Sequence, residues 1–283
     1  MKTNISNFLA VVCACILSVM LSCSNEVDFG EQYQKTLYIV NSTDLLFTGE
    51  HYFETRNDAI VISVYCASSK PITSDLQARL VINRPAMDSL NTLQTMIDPS
   101  YVHKQMLSPS YYEVNGELYV TIKAGSQYGT LSIPFNFGDL DPDIAYTLPV
   151  SLVSNNADYE INQELRSIVY EIKMMNQYAG NFAGSSQESL TEIRGVQPVL
   201  KALSANTVRL PIHNLSTNNL NANFMVLTIA GNGSVTISPW ADAQVTDLGD
   251  SFYDAESQTF ELNYEFTNAA GVTFTISEII TRI

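Results

Sequence analysis

The alternation of apolar and polar residues divides the chain into a short leader and a long series of strands. Leu9 to Leu21 form a largely apolar run of 13 residues, short of the roughly 20 that a membrane-spanning helix needs. After a polar stretch, Leu37-Tyr38-Ile39-Val40 reads as a strand, and residues 59–66, rich in β-branched side chains, as a largely buried one. Leu76, Ala78, Leu80 and Ile82 alternate with Gln77, Arg79 and Val81, the pattern of a half-buried strand. The period then changes. Met87, Leu90, Leu93 and Met96/Ile97 recur every three or four positions, predicting a short helix over 86–97 with this stripe in the core, stopped before Pro99. Strands are predicted again over 111–114, 118–123, 128–137, 146–153 and 167–174, with Asn115-Gly116 as a hairpin turn between the first two. Strands spaced about ten residues apart and separated by turns predict a β-sandwich.

A second β pattern opens at Tyr178-Ala179-Gly180-Asn181-Phe182, after a seam at Met174-Met175-Asn176-Gln177. Its strand candidates are 207–212, 223–229, 234–238 and 251–253, followed by a hairpin of 259–266 and 272–276 around a turn at 268–271. Both hairpin strands alternate apolar with polar, giving one wet face. The expected organisation is mainly β: a leader at 1–22, an acidic tether at 23–33, an immunoglobulin-like β-sandwich at 34–175 and a second antiparallel β-domain at 177–283. For the second domain, a sandwich and a lipocalin-like meander both fit.

The leader carries its own chemistry. Lys2 precedes the apolar run, which ends at Met20-Leu21-Ser22-Cys23. This resembles a bacterial lipobox, with methionine where leucine is usual at its first position, and implies cleavage before Cys23 and acylation of its thiol. The following Ser24-Asn25-Glu26-Val27-Asp28 resembles the signal that sends Bacteroidetes lipoproteins to the outer face of the outer membrane. Each acyl methylene buried in lipid contributes about 0.8 kcal/mol to such an anchor. The chain has 14 Lys+Arg against 29 Asp+Glu, a formal charge of −15, which becomes −16 when Lys2 leaves with the leader. A protein this acidic is a poor partner for nucleic acid or anionic lipid, whereas a neutral ligand stays open. Three of the four cysteines, Cys13, Cys15 and the acylated Cys23, belong to the signal, so the mature fold has only Cys66 and an intrachain disulfide framework is excluded. With His51, His103 and His213 scattered, no zinc site is expected. Asp139-Leu140-Asp141-Pro142-Asp143 lacks the glycine and the closing glutamate of an EF-hand and reads as an acidic turn rather than a calcium loop. No metal or cofactor is expected.

Tyr101, Met106-Leu107-Ser108-Pro109-Ser110-Tyr111-Tyr112-Glu113-Val114, Ile122-Lys123-Ala124-Gly125 and Tyr146-Thr147-Leu148-Pro149-Val150, with a helix inserted before them, resemble a Bacteroidetes domain of unknown function. That domain stands at the N-terminus of surface lipoproteins, including some endo-β-N-acetylglucosaminidases of the chitinase-like family. The resemblance covers about residues 34–175 and implies an immunoglobulin-like sandwich associated with glycan capture, without catalytic residues. Tyr178-Ala179-Gly180-Asn181-Phe182, Tyr264-Glu265-Phe266 and Ile276-Ser277-Glu278-Ile279-Ile280-Thr281-Arg282 are similar to the C-terminal domain that often accompanies it.

Two stretches of the second domain are candidates for recognition. Residues 214–223 form an uncharged loop in which Asn218, Asn219 and Asn221 offer paired donors and acceptors that match sugar hydroxyls. Trp240, the only tryptophan, and Tyr253 offer flat faces that can stack on a pyranose. The bland alternatives are a solvated loop and a partly buried core ring. The strand signature DxxDxDxE of the chitinase-like family is missing, as are Gly-x-Ser-x-Gly, His-Glu-x-x-His and P-loop motifs. The expected function is therefore a non-catalytic glycan-binding lipoprotein that assists an outer-membrane transporter. A structural or adhesive surface module is the alternative, and a glycoside hydrolase the minority one.

Overall fold

The computed structural model describes residues 34–283 except 56–57, 139, 158 and 189–191. The lipobox with Cys23, the tether and Asp139 lie outside the described residues.

Residues 36–175 build two facing sheets. The smaller comprises β1 (Thr36–Ile39), β3 (Ala59–Ala67), β7 (Tyr128–Pro134) and β9 (Glu160–Ile161), in the order β7-β3-β1-β9. The larger is built from β2 (Leu46–Tyr52), β4 (Leu76–Ile82), β5 (Gln105–Met106), β6 (Leu118–Ile122), β8 (Tyr146–Asn155) and β10 (Ser167–Met175), in the order β2-β10-β8-β4-β6 with β5 on β8. Alternate residues of both sheets, among them Leu37, Ile60, Val64, Leu80, Val120 and Leu148, fill the core between them. Cys66 packs there as a small hydrophobe. Gly49 is required by a close approach, because a Cβ at that position would collide with the Tyr170 hydroxyl.

Two expectations need correction here. Residues 111–114 do not form a strand: a 3-10 turn spans Pro109–Tyr111, started by Pro109 and by Ser108, whose Oγ accepts from the Ser110 N–H at 3.4 Å. Asn115-Gly116 does turn the chain, with Gly116 at φ +84°, but it leads into β6, which pairs with β4, so no hairpin is made. The predicted helix is present as α1 (Arg84–Ile97), yet only Met87 and Leu90 of its apolar stripe pack, on Val169. Leu93, Met96 and Ile97 are exposed, because the last turns of the helix run past the sheet they were expected to cover.

The second domain comprises β11 (Gly180–Glu188), β12 (Glu192–Val196), β13 (Val199–Ser204), β14 (Thr207–Pro211), β15 (Phe224–Ile229), β16 (Val235–Pro239), β17 (Val245–Asp247), β18 (Phe252–Asp254), β19 (Thr259–Thr267) and β20 (Thr273–Arg282). They form one sheet in the order β16-β15-β14-β13-β11-β20-β19-β17, with β12 on β11 and β18 on β19. Its two edges meet. The Val235 N–H donates to the Ser251 carbonyl at 2.9 Å, the Tyr253 N–H to the Gly233 carbonyl at 2.8 Å and the Ile237 N–H to Asp247 Oδ2 at 2.9 Å. The sheet is thus a closed meander, which decides between sandwich and lipocalin-like barrel in favour of the latter and leaves few strand edges open. Phe182, Leu210, Leu227, Phe260, Leu262 and Ile280 fill its interior.

The barrel rests against the sandwich. Phe53, just past β2, stacks on Phe137 at 4.1 Å and packs against the barrel core. Arg209 points outward from β14, opposite in phase to Val208 and Leu210, yet only 1% of its side chain is exposed. Its Nη1 and Nη2 donate to Asp143 of the first domain at 2.7 and 2.5 Å, and Lys201 Nζ reaches the same carboxylate at 2.8 Å. The guanidinium lies 4.9 Å from the Phe224 ring centre and 4.8 Å from that of Trp240. Burial alone would raise the Asp143 carboxyl, but the hydrogen bonds from Arg209 and Lys201 outweigh it and hold it below the ordinary carboxylate range. Asp143→Ala leaves Arg209 buried without its counter-charge. The expected cost is about 3 kcal/mol, at the low end for a broken buried pair because Asp143 keeps part of its surface in water. Chemical denaturation monitored by Trp240 fluorescence checks this, and an unchanged midpoint contradicts it.

Candidate functional site: the loop end of the barrel

Three connections gather at one end of the barrel. They are residues 212–223 between β14 and β15, 240–244 between β16 and β17, and 268–272 between β19 and β20. Each is tied by its own polar residues. The Asn223 N–H donates to the Asn219 carbonyl at 3.1 Å, and Asn223 Nδ2 to the Ser216 carbonyl at 2.8 Å. The Asp242 N–H donates to the Asn221 carbonyl at 2.9 Å, so the first two loops hold each other. The Thr267 N–H donates to the Gln244 carbonyl at 2.9 Å, and Asn268 Oδ1 accepts from Ala270 and Val272 N–H groups at 2.9 and 3.0 Å. The Asn268 bonds form an Asx-type turn, the local bonding that makes Asn frequent in loops.

Between the loops lies a cleft of about 540 Å³. Its polar lining is Asn219, Asn223, Asp242, Gln244, Thr267 and Asn268, and its apolar lining is Leu215, Ala222, Ala269 and Ala270. Asp242 is the one charged residue among them, and no lysine or arginine takes part. Such a surface suits a neutral ligand that carries hydroxyls beside apolar C–H faces. It does not suit an anion.

Of the residues singled out in the sequence, Asn219 lines this cleft. Asn218 and Asn221 are exposed on the same loop, where the Asn218 N–H bonds Ser216 Oγ at 3.2 Å and Asn221 holds Asp242 through its carbonyl. Trp240 is half-buried and its ring is engaged by Arg209. Tyr253 is not a platform: it is buried, edge-on to Tyr178 at 5.1 Å and 4.5 Å from Phe260. Its inward register on β18 explains the error, since a tyrosine on a short strand gives no sign of which face is wet. Among the described residues no group of three or more His, Cys, Asp or Glu side chains could hold a metal ion. No helix among them is long and apolar enough to cross a membrane.

Beneath the cleft the barrel encloses a polar cluster that sequence reasoning missed. Ser186, His213, Tyr264 and Glu278 are all buried. Ser186 Oγ lies 2.6 Å from His213 Nδ1 and 3.4 Å from Glu278 Oε2. The Tyr264 hydroxyl donates to Glu278 Oε2 at 2.7 Å and accepts from the His213 N–H at 2.9 Å. Burial pushes the Glu278 carboxyl up to about 7, although hydrogen bonds from Tyr264 and Ser186 pull it down. The Tyr264 hydroxyl is held well above its ordinary value by burial and by the neighbouring Glu278. The sequence signal was available: β20 continues to Arg282 instead of stopping at Ile276, and the inward alternation Ile276, Glu278, Ile280 places a carboxyl in the core.

Family models place the chain. That of an N-terminal domain matches residues 33–159, and that of a C-terminal domain matches residues 166–281. The chain belongs to this two-domain family. The C-terminal match begins ahead of β10, a strand that pairs with β2 and β8 inside the sandwich. Solved Bacteroides structures share the fold. A protein of unknown function from Bacteroides ovatus is 13% identical, with a TM-score of 0.65 over 87% of this chain and 94% of that one. A multidomain protein including DUF1735 from the same species is 14% identical, with a TM-score of 0.63 over 88% and 94%. An auxiliary nutrient binding protein from Bacteroides thetaiotaomicron is 13% identical, with a TM-score of 0.57 over 83% and 90%. No curated protein matches the chain significantly.

The raised Glu278 carboxyl fixes a sign for the family member described here. A folded-state value near 7, above the ordinary 4.5, means that the folded barrel binds the proton more tightly than the unfolded chain. Its contribution to stability is fully present below pH 4.5 and is lost as pH rises through 7, by about 3 kcal/mol. The wild type is expected to melt lower at pH 8 than at pH 5, and Glu278→Gln to remove most of that difference. Calorimetry at the two pH values measures both, and equal slopes for the two proteins contradict the assignment.

Proposed function

We propose that this chain is a surface lipoprotein that binds a neutral glycan without cleaving it, using the loop end of its C-terminal barrel, and that it serves an outer-membrane transporter as an accessory binding protein. The observation that carries the reading is the cleft itself. Amides from three loops, Asn219, Asn223, Gln244 and Asn268, stand around small apolar residues, with Asp242 as the single charge. A sugar presents hydroxyls and C–H faces in that mixture, and carboxamides serve it as both donors and acceptors. Hydrolysis in its common form needs two carboxyl groups about 5–9.5 Å apart, and this lining supplies one. Trp240 is engaged by Arg209 and lies outside this lining, while Asn218 and Asn221, exposed on the same loop as Asn219, extend the polar rim.

Two further observations support the reading. One relative of the same fold is described as an auxiliary nutrient binding protein. The lipobox-like Met20-Leu21-Ser22-Cys23 supports a lipid anchor on Cys23, which a capture protein at the cell surface needs. A single cleft of this kind gives weak affinity, because even millimolar binding takes about 4 kcal/mol. Many copies anchored on one cell compensate through avidity.

The test of the site is retention of the mature protein in gels containing neutral polysaccharides, chosen by a glycan array. Asn219→Ala and Gln244→Ala should each weaken retention about fivefold, the worth of one hydrogen bond near 1 kcal/mol, with little change in melting temperature. Retention unaffected by both substitutions places the site elsewhere, and no retention of the wild type on any glycan leaves the structural or adhesive role in its place. The anchor is tested separately. Labelled fatty acid should enter the wild type and be absent from Cys23→Ala, and an unlabelled wild type would remove the lipoprotein from the proposal.

A further inference from the structure

The amide cleft has a neighbour. Against the other side of the 240–244 loop, on the outer wall of the barrel, lies a second cleft of about 440 Å³. Its polar lining is Gln244, Thr246 on β17, Glu265 and Thr267 on β19, and Thr273 at the start of β20. Gln244 and Thr267 line both clefts. The Thr267 N–H donates to the Gln244 carbonyl at 2.9 Å, so the two residues form one saddle between the clefts.

The register of the sheet places these groups. Leu262, Tyr264 and Phe266 are buried in the barrel, so Glu265 and Thr267 face outward. Thr246 pairs with Glu265, and Thr273 with Thr267. Cross-strand partners share a face, which sets the four side chains in two rows about 6.8 Å apart, a two-residue step along the strand. The Thr267 and Thr273 hydroxyls bond each other at 2.9 Å, and Thr275 Oγ1 donates to Glu265 Oε1 at 3.1 Å. A hydroxyl has one proton and two lone pairs, and a carboxylate has two acceptor oxygens, so these bonds orient the groups and leave capacity for a ligand. Cross-strand pairing by itself would account for Thr267 and Thr273. It does not account for a concave surface that shares two residues with the amide cleft.

Charge narrows what can lie there. No lysine or arginine lines either cleft, and each has one carboxylate, Asp242 in the first and Glu265 in the second. Both accept strong hydrogen bonds from hydroxyl groups and repel anions. They stand on opposite sides of the saddle, each lining one cleft only. A chain of uronic or sulfated sugars is disfavoured along the whole path, and a neutral chain is not.

We propose that the two clefts are subsites of one groove, whose ligand is an extended neutral oligosaccharide: one stretch lies among the amides, and the next crosses the Gln244–Thr267 saddle onto the threonine rows. This rests on the glycan-binding reading and deepens it, because the groove then recognises a chain rather than a single terminal sugar.

The test is an NMR titration of the mature protein with size-fractionated neutral oligosaccharides, from disaccharide to octasaccharide, prepared from a polysaccharide that retains the protein in gels. Affinity should rise with length by at least about tenfold, the worth of two ordinary hydrogen bonds. The backbone signals of Thr246, Glu265 and Thr273 should shift with the long chains and not with the disaccharide. Thr246 is exposed on a three-residue strand, so its replacement should leave the fold intact. Thr246→Val should weaken octasaccharide binding about fivefold, and Thr246→Arg, which lays a long side chain across the outer cleft, should reduce it to the affinity of the disaccharide. Neither should alter disaccharide binding, whereas Asn219→Ala should weaken both ligands. If a variant does not fold, the length dependence and the shifts of the wild type decide. Affinity independent of length, or octasaccharide binding untouched by both Thr246 variants, overturns the groove and leaves the amide cleft as a site. No retention on any polysaccharide overturns both readings.

Discussion

Arg209 sets the relation between the two halves of the molecule. Its guanidinium projects from the outer wall of the barrel, where alternation alone would leave it in water, and is instead covered by Phe224, Trp240 and the Asp143 turn of the sandwich. Removing a cation from water costs several kcal/mol, which one weak contact does not offset. Three things meet there at once. A bidentate carboxylate supplies the counter-charge, two ring faces supply polarisable surface, and Lys201 adds a second cation on Asp143 Oδ1 that helps keep the carboxylate ionised. The geometry works in a single docking position. Phe53, entering the barrel core from the sandwich, fixes the same position through apolar contact. The seam therefore combines a polar lock at Arg209 with an apolar one at Phe53, beside Asn176 Nδ2 on the Ser204 and Thr207 carbonyls, and none of these is continuous backbone pairing.

The same interaction changes what Trp240 can do. A ring engaged by Arg209 has less of its surface left for a sugar, so the lone tryptophan is first a cover for a buried charge. Recognition at the loop end then falls on the amides, whose own turns hold them in place before any ligand arrives. This preorganisation matters because side chains that must be ordered on binding subtract from an affinity that is already small. Mutating Trp240 would therefore disturb the seam, whereas Asn219 and Gln244 report on the cleft.

Much of this was legible in the chain, and the parts that were not share a physical cause. The β19–β20 hairpin, the buried β3 and the half-buried β4 follow from period-two alternation. β2 went unread because Leu46, Phe47, Thr48, Gly49, Glu50 and His51 alternate weakly, and its inward positions are a glycine under Tyr170 and a histidine bonded to Asp58 and Tyr170. α1 was read correctly as a helix, but periodicity states that a stripe exists and not how far the underlying sheet extends, so Leu93, Met96 and Ile97 were misplaced. The cleft was half legible: the run of asparagines marked one wall, while Gln244 and Asn268 come from loops 20 to 50 residues away and carry no local signal. Burial of Arg209 is made by docking of a second domain, a term that no single segment contains.

Glu278 and Arg209 occupy opposite sides of the barrel wall and resolve the same physical problem differently. Arg209 stays charged in a buried place because the sandwich brings a carboxylate to it. Glu278 faces an interior of aliphatic and aromatic side chains, with hydroxyls but no Lys or Arg among its bonded partners, and the easier solution is to keep its proton. Solvation is thus satisfied by pairing at the seam and by neutralisation under the cleft. Only the second solution depends on pH near neutrality. The two solutions are compatible in one barrel: the outward wall that meets the sandwich keeps its charge by pairing, while the inward carboxyl of Glu278 is the group that titrates near neutrality.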